Sequence, residues 1–323
     1  MCGVLACFSM SADKLNIDAW AGLRQLGHRG PDNSDIYMDD LVVLAHSRLS
    51  IIDLNNGADQ PYSYKNYRMV YNGEVFNYLE LKADLLLLGY SFDTQSDTEV
   101  VIKCYEHYGP SCVEKFNGMW SFIITDISTN HCFVSRDRFG QKPLFYYQSS
   151  KGVLYFASEI QALLPYVKMV TPNLVSIASF LREGDFDCEG NTFFEDIYEF
   201  PSAHNLEFDC SKTTIISFSR YWSYPKKVTK KGSDGFLELL EDAVDLRLRT
   251  DVSYGVLLSG GIDSTIIASL TRKIVGQEQK VAAVTYSSLD ADDESVYAKE
   301  IAKALNFDIS VKERSSDITQ YKD

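Results

Sequence analysis

Cys2 carries two groups that could act together in nucleophilic chemistry. The small residue Gly3 follows it, so routine removal of Met1 would leave Cys2 at the N-terminus with a free α-amine. An unperturbed α-amine has a pKa of about 8, which suits a base that takes the proton of the neighbouring thiol and later delivers it to a leaving group. This pairing predicts attack of a thiolate on a carbonyl carbon, through a covalent intermediate.

A second chemical signal is the run SGGIDS at residues 259–264, between a predicted strand at 254–258 and a predicted helix at 264–275. Paired glycines allow a sharp turn and a close approach of the backbone to a ligand. The N-terminus of the following helix presents unpaired N–H groups and the positive end of its dipole. We therefore expect an anion here, although the spacing is neither that of a P-loop nor that of a dinucleotide fingerprint.

The two halves of the chain have different patterns of elements. Up to about residue 160, short runs rich in β-branched and aromatic residues predict strands, and helical spacing predicts two helices, at 78–88 and 98–108. The strands are expected at 3–8, 41–45, 67–71, 119–126, 132–135 and 144–147. Prolines interrupt a connecting region from about 165. From residue 234 helices alternate with strands, which predicts a parallel α/β sheet.

Composition excludes several classes of protein. The 323 residues are 45% apolar and 24% charged, which is typical of a globular chain with about two domains. The net charge of −14 opposes a broad polyanion-binding surface, so we expect no nucleic-acid partner. Seven scattered cysteines without a C-x-x-C pair indicate a reducing cytoplasm and no structural zinc. No apolar run approaches the ~20 residues of a membrane span, and we expect no secretory signal because residues 1–5 have no basic region before an apolar stretch.

The loop at 259–264 resembles the SGGxDS pyrophosphate loop of N-type ATP pyrophosphatases, which split ATP into AMP and pyrophosphate to adenylate an oxygen atom. The resemblance implies that Ser259, Gly260, Gly261, Asp263 and Ser264 cradle the phosphates, with Asp263 near Mg²⁺. It also implies backbone contacts of the adenosine with two residues that end strands, Leu258 and Tyr286.

Several motifs of the first half occur in one order along the chain. They are CG at 2–3, HRGPD at 28–32, AHSRLSIID at 45–53, NGEVFN at 72–77, SDTE at 96–99, RDRFGQKPLFY at 136–146 and ASE at 157–159. With the phosphate loop, this set resembles the class II glutamine amidotransferases of the asparagine synthetase (glutamine-hydrolysing) family, from residue 2 to about 311. The resemblance implies an αββα sandwich of the N-terminal-nucleophile type followed by an incomplete, doubly wound α/β ATP-pyrophosphatase domain.

This family resemblance implies a glutamine pocket around Cys2. Arg48 would hold the α-carboxylate in a bidentate fork, and Asp97, helped by Glu74, would pair with the α-ammonium. The backbone of Leu49, Ile51 and Ile52 would line the pocket. The Asn72 side chain and the Gly73 N–H would stabilise the oxyanion that forms when the thiolate attacks. For Arg29, Arg136, Asp137 and Lys142 we expect a supporting role in loops or at the domain interface, and no histidine has metal-ligand spacing.

We expect the first domain at 2–210, including the connecting region, and the second at 211–323. That segment is short for a synthetase domain, which spans several hundred residues in the family, and the second family loop, of the type SGEGxDE, does not occur. The implied cofactor is ATP with Mg²⁺ as substrate, with no prosthetic group. The implied assembly is a homodimer, or a second chain that completes the synthetase domain.

The first functional hypothesis is an asparagine synthetase, an ATP-hydrolysing amide ligase that hydrolyses glutamine at Cys2 and transfers the ammonia to an ATP-activated aspartyl carboxylate. A second keeps this chemistry and changes the acceptor to a sugar or peptide carboxylate. A third is a chain that retains only glutaminase or binding activity. A fourth, thiol transfer to tRNA through the SGGxDS loop, is disfavoured by the negative charge.

Overall fold

The structure is a computed structural model, and it describes residues 1–10, 13–184, 190–212, 214–226, 235–287 and 293–313. The chain divides into two compact units, Met1–Lys227 and Val228–Asp323.

The first unit contains two six-stranded antiparallel sheets. In spatial order, the first sheet consists of β10 (Ile197–Glu199), β8 (Phe145–Gln148), β9 (Val153–Ala157), β1 (Gly3–Ser9), β3 (Val42–Arg48) and β2 (Asn33–Met38). The second consists of β12 (Thr214–Arg220), β11 (His204–Asp209), β7 (His131–Arg136), β6 (Gly118–Asp126), β5 (Tyr67–Val75) and β4 (Tyr62–Tyr64).

The helices of this unit are α1 (Ala19–Leu23), α2 (Tyr78–Leu87), α3 (Asp97–Tyr108), α4 (Cys112–Lys115) and α5 (Leu174–Glu183). Side chains of each strand alternate between the two faces of its sheet. Val4 and Phe8 of β1 therefore join the core between the sheets, whereas Leu5 and Cys7 pack with α1. The outer face of the second sheet packs against α2, α3 and α4. These layers confirm the predicted αββα sandwich.

The second unit contains a parallel sheet of three strands in chain order, β13 (Gly255–Leu257), β14 (Ala282–Ser287) and β15 (Asp308–Glu313). Its helices are α6 (Phe236–Arg247), α7 (Ile262–Val275) and α8 (Ser295–Ala304). The crossover helices α7 and α8 share one apolar core with the sheet, which includes Ala268, Ala283 and Ala298. This is the parallel α/β arrangement expected for an incomplete pyrophosphatase domain.

The first unit extends further along the chain than the predicted limit at residue 210. Strand β12 pairs along its length with β11, from His204 opposite Arg220 to Asp209 opposite Thr214. Its backbone hydrogen bonds therefore belong to the second sheet, and the compact units divide after Lys227. The segment that we assigned to a connecting region contains α5, β10 and β11 of the same unit.

Within the described residues, no helix is long and apolar enough to cross a membrane. The same residues contain no group of three or more His, Cys, Asp or Glu side chains placed to hold a metal ion.

Phe8 tests the core between the sheets, because its ring is fully buried and lies edge-on to Phe208, with ring centroids 5.0 Å apart. Phe8→Ala should lower the free energy of unfolding of the first unit by about 3–5 kcal/mol, since it leaves a cavity. The three tryptophans, Trp20, Trp120 and Trp222, all belong to this unit, so their fluorescence during denaturation by urea reports on it.

Leu87→Ala is the control for Phe8→Ala, because the side chain of Leu87 is 90% exposed and its loss should change the free energy by at most about 0.5 kcal/mol. Equal unfolding midpoints for the two variants would contradict the two-sheet core.

Candidate active site

One cavity of the first unit contains every residue predicted to bind glutamine. Its wall includes Cys2, Arg48, Leu49, Ile51, Ile52, Asn72, Gly73, Glu74 and Asp97. Strand pairing explains the meeting of these residues: Gly3 of β1 lies opposite Ser47 of β3, so the residue before β1 adjoins the residues that follow β3. The end of β5 and the start of α3 complete the wall.

The sulfur of Cys2 lies against the backbone of Leu49. The N–H of Leu49 donates to Sγ at 3.4 Å, and Sγ donates to the carbonyl oxygen of Leu49 at 3.6 Å. Arg29 Nε donates to the carbonyl oxygen of Cys2 at 2.9 Å. Burial raises the pKa of the thiol, and the hydrogen bond from Leu49 and the positive charges of the N-terminus and Lys142 oppose that increase. The nucleophile predicted from the sequence is thus held in place on the cavity wall.

Two donors face the cavity from β5. Asn72 is 1% exposed, and its buried Nδ2 has no hydrogen-bond partner among the described residues. The N–H of Tyr71 donates to Gln60 Oε1 at 2.6 Å and that of Val75 to Asp97 Oδ2 at 3.1 Å. Alternate N–H groups of an antiparallel strand point to the same side, so the N–H of Gly73 points there too. Asn72 Nδ2 and the N–H of Gly73 thus provide two hydrogen-bond donors for an oxygen atom in the cavity.

Gly73 has no room for a side chain. A Cβ at this position would lie 2.4 Å from the carbonyl oxygen of Met119 and 2.9 Å from Cα of Trp120 in the neighbouring strand β6. The close approach of β5 and β6 therefore requires glycine, and it fixes the N–H of Gly73 beside Asn72.

Arg48 is 5% exposed and is held by the loop that follows β3. Nη1 donates to the carbonyl oxygen of Asn55 at 2.9 Å and to Asp59 Oδ1 at 2.7 Å, and Nη2 donates to the carbonyl oxygen of Asp53. The sequence predicted a guanidinium that holds a carboxylate in a bidentate fork. The structure instead shows a guanidinium that lines the cavity while both of its terminal nitrogens also bind the loop.

Asp97 lies in the first turn of α3, where the helix dipole favours a negative charge. Its Oδ2 accepts hydrogen bonds from the Tyr71 hydroxyl at 2.8 Å and from the N–H of Val75. Burial raises the pKa of this carboxyl, and the hydrogen bonds oppose the increase. Burial also raises the pKa of Glu74, and the charge of Lys142 opposes it. The cavity thus holds two carboxyl groups side by side.

Sequence reasoning did not assign several residues of the cavity wall to the site, among them Gln60, Tyr71 and Lys142. Gln60 and Tyr71 orient β5 and Asp97 through the hydrogen bonds given above. Lys142 was expected only to support a loop, but its side chain reaches the wall of the cavity, and it is 5% exposed. Tyr71 directly precedes the Asn72-Gly73 pair. Lys142 belongs to the motif RDRFGQKPLFY at 136–146. Both residues could therefore have been found from motifs that the sequence analysis had already identified.

The expected supporting roles of Arg136 and Asp137 agree with their contacts. Asp137 Oδ2 accepts from the N–H of Lys142 at 3.0 Å, and Arg136 Nε donates to the carbonyl oxygen of Lys142 at 2.8 Å. Arg29 forms an ion pair with Glu159, with Nη1 2.7 Å from Oε1.

The predicted phosphate loop in the second unit runs from β13 into α7. Ser264 Oγ lies 3.0 Å from Ser259 Oγ and donates to the carbonyl oxygen of Gly261 at 3.1 Å, which closes the turn. Gly260 has φ +85°, and a Cβ there would lie 2.8 Å from Cβ of Tyr297 in α8. Asp263 is exposed in the first turn of α7.

Leu258 and Tyr286 lie at the same edge of the sheet as this loop. Leu258 directly follows β13, and its N–H donates to the carbonyl oxygen of Val284 in β14 at 2.9 Å. Tyr286 is 69% exposed near the end of β14. Because the strands are parallel, their carboxyl ends meet at one edge, which is where open α/β sheets bind ligands.

Comparison with protein families gives two matches. Residues 1–222 match the glutamine amidotransferase domain, and residues 235–321 match asparagine synthase. The chain is 32% identical over 326 residues to "Asparagine synthetase [glutamine-hydrolyzing] 1" of Bacillus subtilis, and this alignment covers 95% of the chain and 49% of the relative.

Two further relatives have similar levels of identity. The chain is 33% identical over 278 residues to "Asparagine synthetase B [glutamine-hydrolyzing]" of Escherichia coli, covering 84% of the chain and 45% of the relative. It is 31% identical over 345 residues to "Amidase chry2" of Gibberella zeae, covering 96% of the chain and 50% of the relative. The chain thus spans about half the length of the curated relatives it matches. Since the first family model matches more than half of it, the chain belongs to the glutamine amidotransferase family, within the group that joins this domain to an asparagine synthase segment.

Proposed function

We propose that the chain hydrolyses glutamine at Cys2 and that the ammonia amidates the carboxyl group of aspartate, which ATP activates with release of AMP and pyrophosphate. The observation that carries this proposal is one cavity that unites Cys2, two hydrogen-bond donors on β5, a buried arginine and two carboxyl groups. We choose aspartate as the acceptor because these relatives are named asparagine synthetase.

The proposed glutaminase reaction begins with loss of Met1, which frees the amine of Cys2. The amine takes the thiol proton, and the thiolate attacks the side-chain carbonyl carbon of glutamine. Asn72 Nδ2 and the Gly73 N–H donate to the resulting oxyanion. The C–N bond then breaks, the amine returns its proton to the leaving ammonia, and a thioester remains on Cys2. Water attacks the thioester and releases glutamate.

Recognition of free glutamine requires one cationic and one anionic group. We assign the α-carboxylate to Arg48, whose charge is already fixed in the wall by its contacts with the loop 53–59. We assign the α-ammonium to Asp97 and Glu74. The backbone of Leu49, Ile51 and Ile52 forms the remaining wall around the substrate.

The proposed ATP site is the loop Ser259, Gly260, Gly261, Asp263 and Ser264, with Leu258 and Tyr286 at the adenosine. N–H groups at the start of α7 suit phosphate oxygens. The carboxylate of Asp263 fits a Mg²⁺ ion that is bound mainly by substrate phosphates, because such ions need only one or two protein carboxylates. Mg²⁺ would neutralise phosphate charge in the reaction.

A second candidate function keeps the glutaminase and changes the acceptor to another carboxyl group. The similarity to a relative named as an amidase, at 31% identity over 96% of the chain, favours keeping this candidate. We also propose a cytoplasmic location and assembly as a homodimer or with a second chain that completes the synthetase domain.

Asn72 tests the proposed oxyanion site. Asn72→Ala should lower kcat for glutamine hydrolysis by about 10²–10³-fold, because one donor to the oxyanion is lost, while KM changes little. Glutamate release by the full chain gives both constants. Asn66→Ala is the matched control, since Asn66 is exposed and lies outside the cavity. An equal loss of kcat in both variants would exclude the assigned role of Asn72.

Arg48 tests substrate recognition. Arg48→Lys should raise KM for glutamine by about 10–100-fold, because a hydrogen bond to a charged group contributes about 1.5–3 kcal/mol. Initial rates of glutamate release measure this change. Arg68→Lys, which changes an arginine outside the cavity, serves as control. An unchanged KM in Arg48→Lys would refute the carboxylate assignment.

Pyrophosphate release tests the ATP half separately from Cys2. With ATP, Mg²⁺, aspartate and ammonium chloride, the full chain and its Cys2→Ala variant should both release pyrophosphate over many turnovers. With glutamine as the nitrogen source only the wild type should sustain this release, because ammonia must displace AMP before the next turnover. Replacing aspartate by sugar or peptide carboxylates separates the two acceptor hypotheses. No release beside intact glutamine hydrolysis would refute the synthetase part of the proposal.

A further inference from the structure

Lys142 is clamped on the wall of the active-site cavity by two buried charged side chains. Asp137 is fully buried and accepts the N–H of Lys142, and Arg136 donates to its carbonyl oxygen. Arg136 also donates to the carbonyl oxygen of Gly140 at 2.9 Å and pairs with Glu199 at 2.6 Å. These contacts fix both the N–H and the carbonyl oxygen of Lys142. The loop therefore holds this residue at the wall of the cavity.

The charges around Cys2 must favour both the α-ammonium of glutamine and a negative charge on the sulfur, and the positive charge of Lys142 can favour the second. Besides the N-terminal amine, the titratable and charged groups that face Cys2 or its cavity are Arg29, Arg48, Tyr71, Glu74, Asp97 and Lys142. Two carboxylates suit the α-ammonium of glutamine. The same negative charges oppose a thiolate and an oxyanion in the same space.

The three cations differ in how far their charge is already neutralised. Arg48 pairs with Asp59 at 2.7 Å, and Arg29 pairs with Glu159 at 2.7 Å. Among the described residues, the ammonium of Lys142 forms no ion pair within 4.0 Å and no hydrogen bond. Burial lowers its pKa, and the charges of Glu74 and Cys2 oppose that decrease. Of these three side-chain cations, Lys142 is therefore the one that has no direct counter-ion within the part of the chain that the structure describes.

We propose that Lys142 is a positioning residue that acts through Cys2: its buried ammonium offsets the carboxylates that recognise the substrate, and it thereby keeps the Cys2 thiol available as a thiolate. The proposal rests on the proposed glutaminase, in which Cys2 is the nucleophile. It assigns Lys142 no contact with the substrate. The role depends on charge, so arginine should replace lysine and an uncharged side chain of similar length should not.

The test is the pH dependence of the alkylation of Cys2 by iodoacetamide in the full chain, without glutamine. Mass spectrometry of the N-terminal peptide follows Cys2 alone, and intact mass records whether Met1 is present. Lys142→Met should move the midpoint upward by about one pH unit, so that the rate below both midpoints falls about tenfold. Lys142→Arg should keep the wild-type midpoint. In the variants that hydrolyse glutamine, the acid limb of kcat/KM should move in parallel.

A midpoint that stays at the wild-type value in Lys142→Met overturns the inference. If that variant does not fold, as judged by tryptophan fluorescence, Lys142→Gln is measured instead under the same criterion. A shift shared by Lys142→Met and Lys142→Arg also overturns it, because loss of packing would then explain the effect. Alkylation needs no glutamine, so a wild-type chain without glutaminase activity would refute the proposed function while the thiol midpoints still decide the role of Lys142.

Discussion

The active-site cavity depends on one buried hydrogen bond that ties the two sheets together. His46 of β3 lies in the first sheet, and its Nε2 donates at 3.0 Å to the carbonyl oxygen of Tyr71 in β5 of the second. Burial lowers the pKa of His46 to about 3, so the imidazole is neutral across the physiological range. Cys2 is attached to the first sheet and Asn72 to the second, so the distance between nucleophile and oxyanion donors is set by the spacing of the sheets at this point.

Tyr71 extends this connection from the sheets to the helical layer. Its hydroxyl donates to Asp97 at the start of α3, and its N–H binds Gln60. A single residue thus links β3, β5, α3 and the loop before β4. Networks of buried hydrogen bonds of this kind hold their members in one arrangement, because each broken bond would leave a polar group without water. The cavity is consequently formed by packing that is complete before any substrate arrives.

Much of this arrangement could be predicted from the sequence because its signals are local. The strands around Gly3, Tyr67 and Gly118 follow from short β-branched and aromatic runs, and the cap of α3 follows from Ser96, whose side chain accepts the N–H of Thr98. Lys142 and the inclusion of β12 in the first unit could not be found this way. Lys142 meets Cys2 although the two residues are distant in sequence. Strand β12 forms a hairpin with β11, and this hairpin joins the second sheet because β11 pairs with the distant strand β7. Periodicity does not encode such long-range pairing.

The lack of space at Gly73 has a consequence for how this protein can vary. All four glycine codons begin with GG, and every change at the first or second base that is not a stop codon encodes an amino acid with a Cβ. Such an atom would lie within 3 Å of the backbone of β6. A single-base substitution that replaces Gly73 by another amino acid is therefore never mild. Mutation can change the surrounding wall of the cavity residue by residue, but residue 73 has no intermediate replacement that the strand pairing accepts.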